Sequence, residues 1–313
     1  MKTYILEGVV TALSSITHNG GERNGTVTQL RREKFAQPNG KVARVPVVSG
    51  NAIRGILRDR GMLSMLRQLG YGVSEENGKV TGLPLSAFYF LFSGGALTST
   101  GDGHIDIEHF RNMRETIPLI SLFGGAAGNT IMPGKLKIGK LIPICTETAH
   151  LIPERFLPEN IQTVWEYCQT EMYTRRDDEK NDRVRMLISR PELGDGVSNS
   201  VPAKPASPQQ MKYDVETIAA GTQFFWKITL EDVSDVEFEA FLATVLEFSK
   251  SPNVGGKSAV GHGEISIKLD RWVEVDSRVN LNGTELDVTI GTKYKTHLDQ
   301  HGDGIRKYLN EMK

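Results

Sequence analysis

Arg54 and Arg58 lie four residues apart in VPVVSGNAIRGILRD (45–59), directly after Ser49, Gly50 and Asn51. Ser49-Gly50-Asn51 offers an N-cap, and Ile53, Ile56, Leu57, Leu63, Leu66 and Leu69 follow at helical spacing. The sequence therefore predicts a helix over 51–69, stopped by Gly70. Two arginines one turn above a helix N-terminus suit a phosphate or sugar edge, because the first-turn N–H groups and both guanidinium forks donate. Other candidates are weaker. Gly255-Gly256-Lys257-Ser258 resembles the end of a phosphate-binding Walker loop. The earlier glycine is missing, however, Ser251 standing in its place, and Gly261-His262-Gly263 and a strand follow instead of a helix. A glycine-rich turn that lies close to RNA or to a neighbouring subunit fits better. His297 and His301 share a helical face near Asp303, but Leu-Asp-Gln separates them, so they read as a surface helix end and not a metal motif. His18 and His262 sit in glycine-rich turns and have no acid–base partner in the sequence. No nucleophile elbow, Cys-x-x-Cys pair or dinucleotide fingerprint occurs, and no cofactor or metal is expected.

The elements that must position these residues come from a chain of 313, long enough to bury a proper core. Glycine, at 32 residues, favours turns and close backbone approaches over a long helical bundle. Cys145 and Cys168 form no disulfide framework, and the start MKTYILEGVV carries Glu7 in its apolar run. Both suit a cytoplasmic protein without a secretory signal or membrane span. The net charge of −1 conceals segregation. From Arg23 to Arg67 there are ten basic residues against two acids, and from Arg111 to Lys140 five against one. From Glu231 to Lys250 the bias reverses, with six acids and one lysine. A basic front and an acidic rear can hold a polyanion on one face and a sister subunit end to end.

Residues 2–16 read as a first strand, and 42–48 as a short edge strand with Pro46. Residues 83–97, with Phe88, Tyr89, Phe90 and Phe92, read as a buried apolar element, and 98–116 as an inserted polar loop. A strand-like run from Ile117, a glycine-rich link (123–128) and a basic strand (135–140) follow. The charged, proline-rich stretch after Arg175 has too few apolar residues for a core of its own and reads as a protruding arm. Residues 222–230 are strand-like, 236–248 helical, and 264–269 a last strand. Two strand–helix–strand halves with insertions make an α+β plan of ferredoxin-like type.

Three stretches together resemble one family: the first strand with VPVVSGNAIRGILRD, LFGGAAGNTIMPGKLKIGKLIP (122–143), and AAGTQFFWKI with NVGGKSAVGHGEISI. They resemble the RAMP superfamily of CRISPR proteins, specifically the seven-type backbone subunit, and look closest to its type IV form. The resemblance implies an RNA-recognition-like palm over 1–270, with fingers at about 20–45 and 70–116 and a thumb at about 175–213. Residues 271–313 would pack on the palm or a partner. It implies that Arg23, Arg31, Arg32, Ser49, Gly50, Asn51, Arg54, Arg58, Lys135, Lys137 and Gly255 to Ser258 (Gly255, Gly256, Lys257, Ser258) line the RNA path. Met186, Leu187 or Ile188 would be the thumb wedge.

The implied partners are guide RNA, a DNA or RNA target paired to it, further copies of the chain and other effector subunits. Related cleaving subunits carry an acid in the turn after the first strand; Thr26 aligns there, and Glu22 is the only acid nearby. That departure points to a non-catalytic binding subunit. The alternatives are an endoribonuclease of the same superfamily, using His18 or Glu22, and a single-stranded RNA binder unrelated to CRISPR.

Overall fold

The computed structural model describes residues 1–25, 27–73, 80–95, 107–127, 130–175, 211–276, 279–280 and 292–311. Its first strand, β1 (Lys2–Ala12), leads into β2 (Asn19–Asn24), β3 (Val27–Leu30), β4 (Arg32–Ala36) and β5 (Val42–Pro46), then helix α1 (Gly50–Gln68). A short ribbon, β6 (Gly72–Val73) with β7 (Val80–Thr81), precedes α2 (Leu85–Phe88), which runs on as a π-helical turn, Tyr89–Ser93. Helices α3 (Ile107–Thr116) and α4 (Pro118–Phe123) lead to a second ribbon, β8 (Gly125–Ala127) and β9 (Thr130–Met132), and to β10 (Leu136–Ile138) and β11 (Ile142–Pro143). β12 (Cys168–Arg175) pairs with β13 (Met211–Ile218), and the arm read from the sequence between them, residues 176–210, lies outside the described residues. The chain closes with β14 (Gln223–Val233), α5 (Asp235–Ser249), β15 (Ile265–Asp276), β16 (Val279–Asn280) and α6 (Lys293–Glu311).

The α+β expectation holds, with antiparallel pairing throughout the main sheet. β1 lies at its centre, bonded to β14 on one side and β15 on the other, in the order β10-β14-β1-β15-β16. Alternation along β1 sends Tyr4, Leu6, Val10 and Ala12 into the core beneath α1 and α5. The opposite face carries a smaller cluster of Ile144, Ile152, Phe156 and Phe225. α5 begins with a capping box in which Ser234 and Glu237 each satisfy the other's backbone N–H. α6 lies against this helical layer through Tyr294, Leu298, Ile305 and Leu309, and Arg306 donates to Leu69 O. No helix among the described residues is long and apolar enough to cross a membrane.

Two elements depart from the sequence reading. The run after Ile117 is a helix, not a strand, because Pro118 occupies its first turn. All six residues of α4 are buried, so no periodicity distinguishes the two structures. The described part of the supposed polar loop is α3, where Phe110 and Met113 pack on the core at helical spacing. In the aromatic element Phe90 and Leu91 are buried, but Phe88 and Tyr89 are half exposed.

α1 and α5 cross where Gly61 faces Thr244; a Cβ on Gly61 would stand 2.5 Å from Thr244 Oγ1. A mid-helix glycine costs about 1 kcal/mol against alanine, and here it permits the close approach of the two core helices. Gly61→Val is therefore expected to lower unfolding stability by about 2 kcal/mol. Urea denaturation checks this, and an unchanged midpoint would remove the constraint.

Candidate nucleic-acid interface

The start of α1 is held in place by the residues that precede it. Ser49 Oγ accepts the N–H of Ala52 at 3.3 Å, and the N–H of Ser49 donates to His18 Nε2 at 3.2 Å. His18 is thus a neutral acceptor at Nε2, the lone pair that a general base would use. Burial, then the nearby Arg31, holds its pKa below the ordinary value. Gly50 has no room for a side chain, since a Cβ would meet Ile138 O at 2.3 Å. Asn51 is exposed at the mouth of a cleft of about 620 Å³ that Arg54, Arg58, Phe92, Phe123 and Gly134 also line.

Arg54 and Arg58 do not simply project into this cleft. Arg54 donates to Leu136 O and Phe123 O, both at 2.6 Å. Arg58, only 8% exposed, donates to Phe123 O and Gly124 O at 2.7 and 2.6 Å. Each guanidinium also lies over the Phe123 ring, 5.9 Å and 5.7 Å from its centre. On the far side, Arg114 donates to Pro133 O at 2.6 Å. Three arginines therefore hold carbonyls on both sides of the β8–β9 ribbon. Burial lowers the pKa of both Arg54 and Arg58, and at Arg58 the Arg54 charge adds to it. Among the described residues no carboxylate hydrogen-bonds to either group, so the floor of the cleft keeps its positive charge.

Other predicted cations are also committed within the chain. Arg32 grips both oxygens of Glu216, tying β4 to β13. Burial works against the Glu216 carboxylate, but Arg32 and the Leu30 N–H outweigh it and hold its pKa low. Lys135 Nζ sits 2.8 Å from both oxygens of Glu237, and the exposed Lys137 pairs with Glu231.

Lys257 has a left-handed backbone, φ 59°, and its ammonium lies 4.9 and 4.7 Å from the ring centres of Tyr173 and Tyr213. Gly255 and Gly256 pack on Thr17: a Cβ on Gly255 would be 2.1 Å from Thr17 O, and the N–H of Gly256 donates to that oxygen at 2.7 Å. His262, 3% exposed, stands beside them. Ser15 Oγ lies 2.9 Å from its Nδ1, and the Tyr173 hydroxyl bonds its Nε2 and donates to Glu171. Burial, then Glu171, pushes the Tyr173 pKa up to about 12. The glycine loop thus joins the β12–β13 pair to the segment after β1 in its own chain, with Ser258 exposed on its rim.

A further group of exposed cations lies on and just before the β4–β5 hairpin. Gly40, φ +80°, closes the turn, and Lys34 stands opposite Arg44 in the antiparallel register. Residues opposite one another share a face, where like charges repel. Both are exposed, as are Arg31 and Lys41, and none of the four side chains has an ion-pair or hydrogen-bond partner among the described residues. The inner face of the hairpin packs Phe35, Ala43 and Val45 against Cys145 and Val164. Sequence reasoning counted Lys34, Lys41 and Arg44 in the charge bias without choosing them. The signal available was Pro38-Asn39-Gly40, a turn that sets Lys34 against Arg44. Met186, Leu187, Ile188 and Thr26 lie outside the described residues, as do the side chains of Glu22 and Arg23.

A histidine whose pKa is depressed on folding binds its proton more readily in the unfolded chain. Its stabilising share is present above about pH 6.5 and is lost as pH falls through the folded-state pKa. His18 behaves this way, and so does His297, lowered chiefly by burial. The thermal midpoint is expected to be lower at about pH 5.5 than at about pH 7.5. His18→Gln, which offers Ser49 an acceptor that does not titrate, is expected to narrow that difference. An unchanged difference in the variant would contradict the assignment.

No protein-family model matches the chain, and no curated protein matches it. Among solved structures, a chain of one titled "Type IV-B CRISPR Complex" is similar with a TM-score of 0.57 and 21% sequence identity. The match covers 95% of this chain and 98% of that one, so the likeness is one of fold and extends over nearly the whole molecule.

Proposed function

We propose that this chain is a non-catalytic backbone subunit of a CRISPR effector complex. Copies line up along a guide RNA, bind its phosphate–sugar backbone and leave the bases free to pair with a DNA or RNA target. Other effector subunits complete the particle, in the cytoplasm. The observation that carries the reading is the outer face of the β4–β5 hairpin. There Lys34 and Arg44 are held opposite each other without a carboxylate partner among the described residues, in a chain whose fold is similar to one from a CRISPR complex. Two like charges fixed face to face raise the energy of the free protein, and a phosphate between them removes the repulsion. The charged cleft floor under Asn51 offers a second contact along the strand.

The order β10-β14-β1-β15, reached by two strand–helix–strand passages, supports a ferredoxin-like palm of the RAMP type. In such a subunit sequence is read by base pairing, so the protein needs charge and shape and no base-specific side chains. The family's cleaving acid has no counterpart at the aligned Thr26, which supports a binding role.

Charge reversal at Arg54 or Arg58 tests little, because it breaks the carbonyl clamp as well as any RNA contact. The informative variant is Lys34→Glu with Arg44→Glu, on an exposed ribbon. Binding to single-stranded RNA is expected to weaken about tenfold or more near 0.1 M salt, and the log–log salt slope to fall by about 1 to 2. Circular dichroism should be unchanged. Wild-type affinity with an unchanged salt slope would refute the ribbon as the RNA track.

A further inference from the structure

Trp165 is 66% exposed, on the short 3₁₀ turn Val164–Tyr167. Its neighbours anchor that turn: Val164 is buried and Tyr167 packs beside it, in the cluster beneath the β4–β5 hairpin. The N–H of Val164 donates to Glu147 at 2.9 Å. The backbone under the indole is therefore fixed while the ring faces outward, which is an unfavourable placement for the largest apolar side chain unless something covers it.

The ring is also braced. The Arg32 guanidinium carbon lies 5.7 Å from the ring centre. Arg32 cannot drift, because Glu216 holds both of its terminal nitrogens and the Leu30 N–H in turn fixes Glu216. A flat aromatic surface with its cation already in position loses little freedom when a second ring stacks on it. Glu166, the acid of the same turn, departs about a third of a turn away from Trp165, as three residues per turn requires.

What lies next to the platform indicates its occupant. Arg32 begins β4, and Lys34, two residues on, leaves the same face of that strand opposite Arg44. An aromatic step at the end of an unpaired cationic rail is how proteins hold single-stranded nucleic acid: charge follows the phosphates and the ring takes a base. A sister protein surface would have to offer carboxylates to the rail as well as an apolar pocket to the indole.

We propose that Trp165, braced by Arg32, is a stacking platform for an unpaired nucleobase of the RNA whose phosphates run along the β4–β5 ribbon. The proposal rests on the nucleic-acid reading above and adds to it a base-contacting residue. It implies an affinity for bases in general and no preference among them, since every base has a stacking face.

The test measures binding of the full chain to a fluorescein-labelled single-stranded RNA 12-mer and to the same 12-mer built from abasic residues. Trp165→Ala is expected to weaken binding of the intact RNA about tenfold while leaving the salt slope unchanged, because stacking releases no counterions. Trp165→Phe should retain most of the affinity. With abasic RNA, wild type and Trp165→Ala should bind alike, so that the loss belongs to the base and not to the fold. Equal affinities of wild type and Trp165→Ala for intact RNA, with the Lys34→Glu/Arg44→Glu loss still present, would overturn the platform and leave the RNA reading standing. Absence of wild-type RNA binding would overturn both. A drop in protein-only oligomer mass on Trp165→Ala, with RNA affinity unaffected, would assign the ring to a subunit contact instead.

Discussion

Two guanidinium groups on α1, gripping main-chain carbonyls across the cleft, tie the first core helix to the segment that follows α4. Arg54 and Arg58 join the first core helix to Phe123, Gly124 and Leu136, the points where α4 ends and β10 begins. The β8–β9 ribbon lies between those points, where Arg114 at Pro133, the Ala126 N–H on Gly94 O and the buried Met132 also hold it. The planar fork of arginine suits a pair of carbonyls in a way that a lysine ammonium does not. Because the partners are carbonyl dipoles and not carboxylates, the charge is fixed in place without being cancelled. One pair of side chains thus both builds the cleft and makes it positive.

Seven of the ten basic residues between Arg23 and Arg67 fall into two groups. Arg32, Arg54 and Arg58 are structural, bound to Glu216 or to backbone, and Lys135 in the later basic stretch is bound to Glu237. Lys34, Lys41, Arg44 and Arg31 remain exposed on a hairpin whose inner face is well packed. The separation has a physical logic. A polyanion binds with least reorganisation where cations stand on a rigid support and need not first abandon an internal partner. The β12–β13 pair is fastened by internal contacts too: Lys257 rests on two tyrosines and His262 is boxed in by Ser15 and Tyr173.

Much of the fold was legible because local signals agreed with the tertiary structure. Ser49 marks a helix start that the structure keeps, helical spacing over 236–248 marks α5, and the alternation of Tyr4, Leu6 and Val10 marks the central strand. α4 was not legible, since a helix buried on every side carries no period that separates it from a strand. The site was legible in part, for a different reason. Arginine in a sequence announces charge but not its partner, and the carbonyls that bind Arg54 and Arg58 lie some 65 to 82 residues away. The same holds for the glycine loop, whose partner Thr17 is 239 residues distant. Trp165 gave no sequence signal at all, because nothing local distinguishes an exposed tryptophan from a buried one.

The central claim is that the chain coats a guide RNA, and the most direct measurement is made on the protein purified after co-expression with a type IV CRISPR locus. Absorbance ratio and particle mass are recorded before and after ribonuclease. The expected result is a high 260/280 ratio in a discrete high-mass species that ribonuclease collapses, with bound RNA of nearly constant length. A nucleic-acid-free monomer under the same conditions would contradict the account.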